Sequence, residues 1–579
     1  MLTRSPADGV AGRPVPAPKP SSGSGWLHRV VIPLGIFLCA VLPYVKYVPA
    51  YFTGVDAIPT VAAARASSAE EVLDVTRREL RGGLLPGSSY YRPLTLLSYT
   101  WDYALWGWDP RGYHLTDIVL HGLAALAVLA LARRAFDLGP WEAAVVALLF
   151  VLHPAANEVV PAVSRRQEPM LMMGIAGALI GARGLPRWGA WILLLVSTAV
   201  AITSVERGLS TPALVFAYLV LLTGAGSLAA RVRRAVILCL PLFFLAVAFY
   251  ALRGYLFRSS GIGFTRDEVV PITVTYLRWL IYPQDIFAVS RPVTTAGWAA
   301  AAALGLAACT AVAYAIWTSP RRAQYLFAGA WIAIHAVFLV VANQVNTWYA
   351  YSGVVPLALG LVLLVREGIA SRPAMPVRSV WRRGMGLAAA AAGALVAFPL
   401  LAASPAIRDY SGWSVASRLT QSVCEDALEV EKRRPPSEGL VLLNVPGSFR
   451  ESDSDYLVTR SAAILWPHSV LEWMSLHSAD QNVAVLGFSR QAGKFRVPGL
   501  RLRGNRLRVC FDDAESGYDT RRRPGSALLP AAEGNGVEFE WPPVEVKSVH
   551  FATFVFDGEH FVPATIRPDD GASPASCAR

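Results

Sequence analysis

The chain has 579 residues, 54% of them hydrophobic and 16% charged, with a formal net charge of +12. Soluble domains carry about 25% charged residues, so this composition excludes an ordinary soluble protein. The basic residues sit in short clusters between apolar runs, the pattern of cytoplasmic membrane loops rather than of a nucleic-acid surface. The six cysteines form no CxxC or Cys/His metal spacing, so no zinc site and no metal cofactor is expected.

In chain order, residues 1–26 are rich in Pro, Gly, Ser and Ala and read as a disordered cytoplasmic tail. Trp26 to about Val48 is the first span. It is too long for a signal peptide and has no suitable cleavage site, so it reads as an anchor. Further apolar runs cover about 114–132, 140–153, 168–184, 188–205, 209–225, 234–252, 298–318, 324–342, 351–365 and 384–404. Placing the basic clusters Arg133–Arg134, Arg183/Arg187, Arg231–Arg234, Arg321–Arg322 and Arg366–Arg383 in the cytoplasm gives eleven spans. The N-terminus is then inside and the C-terminus outside. The stretch 270–284 carries Arg278 at its centre and would break the alternation, so it is expected to lie in the membrane plane on the outer side.

From Ser404 the composition becomes that of a soluble domain. Trp413–Lys432 has apolar residues at helical spacing, and Gly439–Val445 reads as a buried strand ending at a Pro446-Gly447 turn. Ser461–His477 reads as helix, and Val483–Phe488, 537–541, 544–546 and 554–556 as strands. The expected architecture is a polytopic α-helical membrane protein of about eleven spans. Residues 27–404 form the membrane domain with a large first outer loop at 51–113, 405–566 an extracytoplasmic α+β domain, and 567–579 a disordered tail. Outside the cytoplasm, a Cys424–Cys510 disulfide and two buried free thiols are equal alternatives.

The unusual polar residues all fall in the expected outer loops. Asp56 is the lone carboxylate just beyond the first span, where it can act as a base toward a hydroxyl or simply cap a turn. The acidic and basic residues between Glu70 and Arg81 read as a solvated helix with paired charges. Arg92 offers a two-pronged contact to phosphate. Asp102 needs a partner if buried, with Arg92 or His114 as candidates. Trp101, Tyr103, Trp106 and Trp108 read as an interface belt, the sugar-stacking platform being the alternative. His114, Asp117 and His121 share one helix face.

A second constellation runs His153, Glu158, Ser164, Arg165, Arg166, Glu168; its arginines serve a phosphate or a local salt-bridge network. Glu206-Arg207 is a charged pair at a tight turn, self-satisfied or part of a site. Arg253, Arg258 and Arg278 border the long outer loop and are candidates for a lipid phosphate. The absence of GxGxxG and Walker loops requires any sugar donor to be lipid-carried.

Three stretches carry a family resemblance: YRPLTLLSYTWDYALWGWDPRGYHLTDIVLH, HPAANEVVPAVSRRQEPM and TSVERGLSTPALVFAY. Together they resemble the membrane part of the tetratricopeptide-containing O-mannosyltransferases and their bacterial relatives. The resemblance implies a GT-C membrane glycosyltransferase fold, a polyprenyl-phosphate sugar donor, an acidic base in the first outer loop, and transfer with inversion. By position, Arg92, Pro93, Asp102, Tyr103, His114, His121, His153, Glu158, Ser164, Arg166, Glu206 and Pro212 match the family pattern. Glu168 stands for an Asp, Asp117 for an Asn and Val205 for a Lys, and Asp56 stands alone where the family carries an acidic pair. The tetratricopeptide tail is replaced by the α+β domain.

The resulting expectation is that Asp56 is the catalytic base. Arg92 and Arg166, with Arg278, hold the donor phosphate. Asp102, His114, His153, Glu158, Glu168 and Glu206 complete the substrate site. The partners are membrane lipid, the lipid-linked donor and an extracytoplasmic protein, lipid or glycan acceptor. A lipid-linked-sugar flippase and a non-catalytic glycan-binding relative are the rival functions.

Overall fold

A computed structural model gives the fold. It describes residues 26–257 apart from 55, 84–88 and 224–225, then 265–281, 310, 313–314 and 316–370. In the C-terminal part it describes 404, 411–434, 439–450, 461–463, 467–477, 483–488, 499–503, 506–510, 518–522, 529–533, 536–540, 551–557, 560–564 and 567–568. Residues 1–25 of the expected tail at 1–26, residues 384–403 of the expected span at 384–404, most of that at 298–318, and Arg258 lie outside these residues.

Five described helices are long and apolar enough to cross a membrane: His28–Tyr47, Pro110–Arg134, Leu228–Phe257, Arg322–Val341 and Thr347–Glu367. The helical core of the first is α1 (Ile32–Val41). After it come α2 (Ala57–Ala63), α3 (Ala69–Val75), α4 (Pro93–Trp106), α5 (Pro110–Arg134) and α6 (Pro140–Leu152). Next are α7 (Gln167–Gly184), α8 (Trp188–Ser204), α9 (Thr211–Tyr218), α10 (Leu228–Phe257), α11 (Val269–Ile281), α12 (Arg322–Val341) and α13 (Ala350–Ala370).

Helix α7 packs tightly on α8 because Gly174, Gly177 and Gly181 face it. A Cβ on Gly174 would come within 2.8 Å of Ala201 N, and one on Gly181 within 2.7 Å of Leu194 N. Such close backbone approach is how small residues join helices in lipid, where no hydrophobic gain draws them together.

Polar contacts gather described loops into two groups. At one end Arg183 pairs with Asp137 at 3.0 Å and Arg366 with Glu142 at 2.8 Å, while Gln324 donates to the Phe136 carbonyl at 2.9 Å. The other end holds 51–113, 153–168, 205–211 and 343–351. Helix α11, expected in the membrane plane, buries Ile272, Tyr276 and Leu280 along one face and leaves Arg278 on the opposite, exposed side.

The C-terminal part combines α14 (Ser411–Arg433) and α15 (Pro467–His477) with two five-stranded sheets. In the first, β1 (Gly439–Pro446) is central and parallel to both β10 (Phe551–Phe556) and β4 (Val483–Phe488). Every residue of β1 is buried, as a strand covered on both faces requires. The second sheet runs, in order of pairing, Arg567–Pro568, Gly499–Arg503, Arg506–Cys510, Gly536–Glu540 and Leu529–Glu533, so its first strand reaches into the stretch expected to be a disordered tail. Ser461–His477 is not one helix: Ser461–Ala463 pairs as a strand, and Pro467 starts the helix at a position where its missing N–H costs nothing. Cys424 is a buried free thiol, so the Cys424–Cys510 bridge is not formed. The expected strand at 544–546 lies outside the described residues.

Candidate active site at one end of the helix bundle

The outer-loop residues singled out by sequence meet in a chain of arginine–carboxylate pairs. Asp56 sits at the start of α2. The turn before it is set by Gly54, whose φ of +93° suits glycine and whose Cβ position lies 2.7 Å from Ser164 Oγ. Thr53 fixes this turn to the second constellation: its hydroxyl donates to the Pro161 carbonyl, and its own carbonyl accepts from Val163 N at 3.1 Å. The Asp56 carboxylate is held by Arg81, Nε to Oδ1 at 2.8 Å and Nη2 to Oδ2 at 3.0 Å. Arg81 therefore does not belong to a solvated helix. Only Arg78–Asp74, at 2.7 Å and exposed, fits that expectation.

Arg92, at the start of α4, pairs with Glu206 through Nε at 2.9 Å and Nη2 at 2.8 Å. Burial works against its charge, and Glu206 more than offsets this, raising the guanidinium above its ordinary value. The Arg81 and Arg92 guanidiniums both lie on the Tyr90 ring, 4.9 and 4.8 Å from its centre. The Tyr90 hydroxyl meets Gln344, which joins this rim to the loop before α13.

Deeper in, Arg166 lies between Asp102 (2.7 Å) and Asp117 (2.9 Å) and stacks 3.8 Å over Tyr99. Its side chain is 0% exposed. The expected role of Arg166 in holding donor phosphate meets this geometry badly: a phosphate would have to displace two buried carboxylates. Asp102 finds its partners in Arg166 and Thr116 Oγ1 (2.8 Å), not in Arg92 or His114. Glu158 pairs with Arg165 at 3.0 Å and accepts from Thr347 at 2.8 Å. Burial lowers the Arg165 guanidinium more than Glu158 supports it, and Asp56 adds to that support through space.

Glu206 and Arg207 do not satisfy each other. Glu206 goes to Arg92, while Arg207 pairs with Glu168 and donates to the Tyr349 carbonyl at 3.1 Å. The two imidazoles serve the backbone: His114 Nε2 donates to the Tyr51 carbonyl and His153 Nε2 to the Leu280 carbonyl, each at 3.0 Å. His153 Nδ1 accepts from Ala155 N, which fixes its tautomer. Burial pushes the His153 imidazole down to about 4, keeping it neutral.

Two expected members stay out of the cluster. Arg278 is on the exposed face of α11, away from Tyr276 and Leu280, which turn inward. Arg253 is buried and donates to Ser89, at 2.8 Å to its carbonyl and 2.5 Å to its hydroxyl. The aromatic group divides. Trp101 is 69% exposed and suits a membrane interface, whereas Trp108 packs on Phe52, Tyr103 and Trp473. Trp473 on α15 also meets Tyr51, and Ser417 on α14 accepts from Tyr51 N at 2.7 Å, so the C-terminal domain sits against the loop that carries Asp56. Trp413 lies 5.6 Å from the Arg165 guanidinium.

Sequence reasoning missed Arg81, Tyr90 and Thr116. Arg81 carried one signal, the Gly82-Gly83 pair after it, which ends a helix rather than continuing it. Among the described residues, no group of three or more His, Cys, Asp or Glu could hold a metal ion.

No protein-family profile matches the chain. Curated relatives do. Protein O-mannosyl-transferase Tmtc1 of Drosophila melanogaster is 28% identical over 203 residues, which cover 33% of this chain and 23% of that protein. Protein O-mannosyl-transferase TMTC3 of Mus musculus is 29% identical over 126 residues, 21% of this chain and 14% of the relative. TMTC3 of Homo sapiens is 24% identical over 216 residues, 33% and 23%. The chain thus spans less than a quarter of the length of each of these relatives. With its apolar helices and these matches, the chain is a helical membrane protein distantly related to the TMTC-named protein O-mannosyltransferases.

Proposed function

We propose that the chain is an inverting membrane glycosyltransferase that moves a sugar from a polyprenyl-phosphate carrier to a hydroxyl on the extracytoplasmic side. Mannose and a protein hydroxyl, taken from the names of its relatives, are the donor sugar and acceptor to test first. The observation that carries the reading is Asp56. Its carboxylate is the one at the rim beside both Arg81 and the Tyr90–Arg92 pair, and its side chain remains 20% exposed.

In the reaction Asp56 takes the proton of the acceptor hydroxyl while that oxygen bonds to the anomeric carbon. The anomeric carbon–oxygen bond to phosphate breaks on the opposite face, and its electron pair leaves with the polyprenyl phosphate. Charge grows on that phosphate as the bond breaks, so arginine at the rim stabilises the transition state more than the ground state. Arg92 is the candidate for this contact. Arg166, Asp102, Glu158, Glu168 and Glu206 keep the surrounding loops in register, and His114 and His153 fix backbone at the cluster.

The test supplies purified protein with labelled polyprenyl-phosphate mannose and a hydroxyl-bearing peptide. Loss of a general base costs on the order of 100- to 10,000-fold, so Asp56→Asn should cut transfer by that factor per folded molecule, with its thermal midpoint recording separately what the lost Arg81 pair costs in stability. Wild-type transfer by Asp56→Asn removes Asp56 as the base. A product that retains the donor's anomeric configuration removes the inverting mechanism. The second reading, a non-catalytic glycan-binding relative, draws on the Arg81 contact that occupies Asp56. A donor bound without turnover would favour it.

A further inference from the structure

We infer that Arg81 is a phosphate-binding arm that holds Asp56 occupied until the donor arrives, so that donor binding itself frees the base. The inference rests on the glycosyl-transfer reading above. Arg81 Nη2 donates to Asp56 Oδ2 at 3.0 Å and its Nε stands 2.8 Å from Oδ1 as a charge contact, so one guanidinium lies along both carboxylate oxygens. A proton arriving on that carboxylate meets the guanidinium charge beside it, so transfer from a hydroxyl is favoured once Arg81 has moved away.

The turn carrying Arg81 is built so that its backbone stays while its side chain can swing. Arg81 N and Gly83 N both donate to the Glu79 carboxylate, at 2.8 and 3.1 Å, and Leu80 N donates to the Tyr90 carbonyl at 2.9 Å. Gly82 and Gly83 follow with φ of +64° and +80°, values that suit glycine. The guanidinium end lies at the rim, over the Tyr90 ring that Arg92 also approaches. An anion reaching Tyr90 from the membrane surface therefore meets two guanidiniums. Arg92 keeps its Glu206 partner, whereas Arg81 can exchange a carboxylate for a phosphate of equal or greater charge.

The donor phosphodiester carries one negative charge, and the departing phosphate monoester about −1.5 to −2 at neutral pH. Arg81 is thus drawn further from Asp56 as the sugar leaves. The proton collected by Asp56 passes to water once the product phosphate has gone, and Arg81 returns to the carboxylate. Asp56 and phosphate compete for one guanidinium, and such coupling is reciprocal.

The experiment titrates farnesyl phosphate into the full-length protein in phosphatidylcholine nanodiscs. Arg81→Ala should weaken binding by about 10- to 100-fold, the worth of a hydrogen bond to a charged group. Asp56→Asn should tighten it by at least about 5-fold, the low end of couplings between sites. That gain should vanish when both substitutions are combined. Arg81→Lys, which keeps the charge without the fork, should fall between wild type and Arg81→Ala, and its thermal midpoint separates lost binding from lost folding.

Wild-type affinity in Arg81→Ala and Arg81→Lys overturns the inference and leaves the donor reading standing. So does an Asp56→Asn gain that persists without Arg81, since that is a general charge effect. A wild-type protein that binds no prenyl phosphate overturns the donor reading itself. In a parallel titration, inorganic phosphate binding as tightly as farnesyl phosphate would assign the arm to a free anion and overturn its role toward a lipid-borne donor.

Discussion

Replacing Arg166 should destabilise the protein rather than weaken its grip on a donor. The guanidinium lies 2.7 Å from Asp102 and 2.9 Å from Asp117, and those carboxylates are each 2% exposed. Arg166→Gln leaves two carboxyl groups buried beside each other with no cation between them. Breaking one buried ion pair by removing a partner costs about 3–5 kcal/mol, and the loss of the guanidinium from the face of Tyr99 adds about 2 kcal/mol when that contact is dry. Against the total of about 5–15 kcal/mol typical of folded proteins, the substitution removes a third or more.

A triple variant, Asp102→Asn, Asp117→Asn and Arg166→Met, removes the stranded charges together. It should recover most of the loss, because the cost lies in unpaired charge and not in the missing pair. The assay is chemical denaturation of the full-length protein in detergent, followed by near-ultraviolet circular dichroism, with donor affinity measured on the folded fraction. If Arg166→Gln unfolds at the wild-type midpoint while its donor affinity falls, Arg166 is a substrate ligand and the strut reasoning is wrong.

Gly54→Ala would place a methyl 2.7 Å from Ser164 Oγ at a φ of +93°, a strain of about 1–3 kcal/mol. Because it shifts the turn leading to Asp56, turnover should fall by about 100-fold, as a 1 Å misplacement can cause, with donor affinity unchanged. Equal turnover would show that the turn does not position the base. His153 has its pKa lowered to about 4 by burial, against 6.5 for a free imidazole. The unfolded chain therefore binds a proton that the folded one refuses between those values. Stability is complete above pH 6.5 and falls by about 3 kcal/mol as the pH drops to 4. Unfolding midpoints at pH 7 and pH 5 should differ less in His153→Gln than in wild type, and an identical difference would remove His153 as a source. Trp473→Ala removes ring contacts to Tyr51 and Trp108 at 6.0 and 5.6 Å. Amide exchange across 51–64 should then quicken, while exchange in α7 and α8 stays as in wild type.

Runs of apolar residues were enough to place the five long apolar helices among the described residues. Those features are local, since a run of apolar residues becomes a span wherever it stands. The strands Val483–Phe488 and Gly439–Pro446 were legible for the same reason, as short apolar runs bounded by turns. The site was legible only as a set of residues. Sequence singled out Asp56, Arg92, Asp102, Glu158, Arg166, Glu168 and Glu206 as one set, but it could not say which carboxylate each guanidinium would take.

Partner choice among like-charged groups depends on angles between helices and on burial, and neighbours in sequence are poor guides to it. Glu206 and Arg207 stand side by side and bond to opposite parts of the cluster. Arg165 and Arg166 are adjacent too. The first joins Glu158 beside the loop of Thr347, and the second is sealed between α4 and α5. Arg81 was the largest loss. Its sequence neighbours are those of a solvated charged helix, and only the turn at Gly82-Gly83, closed by Leu80 on Tyr90, carries its guanidinium back across 25 residues to Asp56. The docking of the C-terminal domain on Tyr51 and Trp108 was equally a matter of tertiary structure, because it joins surfaces separated by 366 residues. The sequence by itself determined a helical membrane protein and the set of polar residues that meet in its cluster. Which of those charges are struts and which face an incoming phosphate was decided by burial, a property of the folded chain alone.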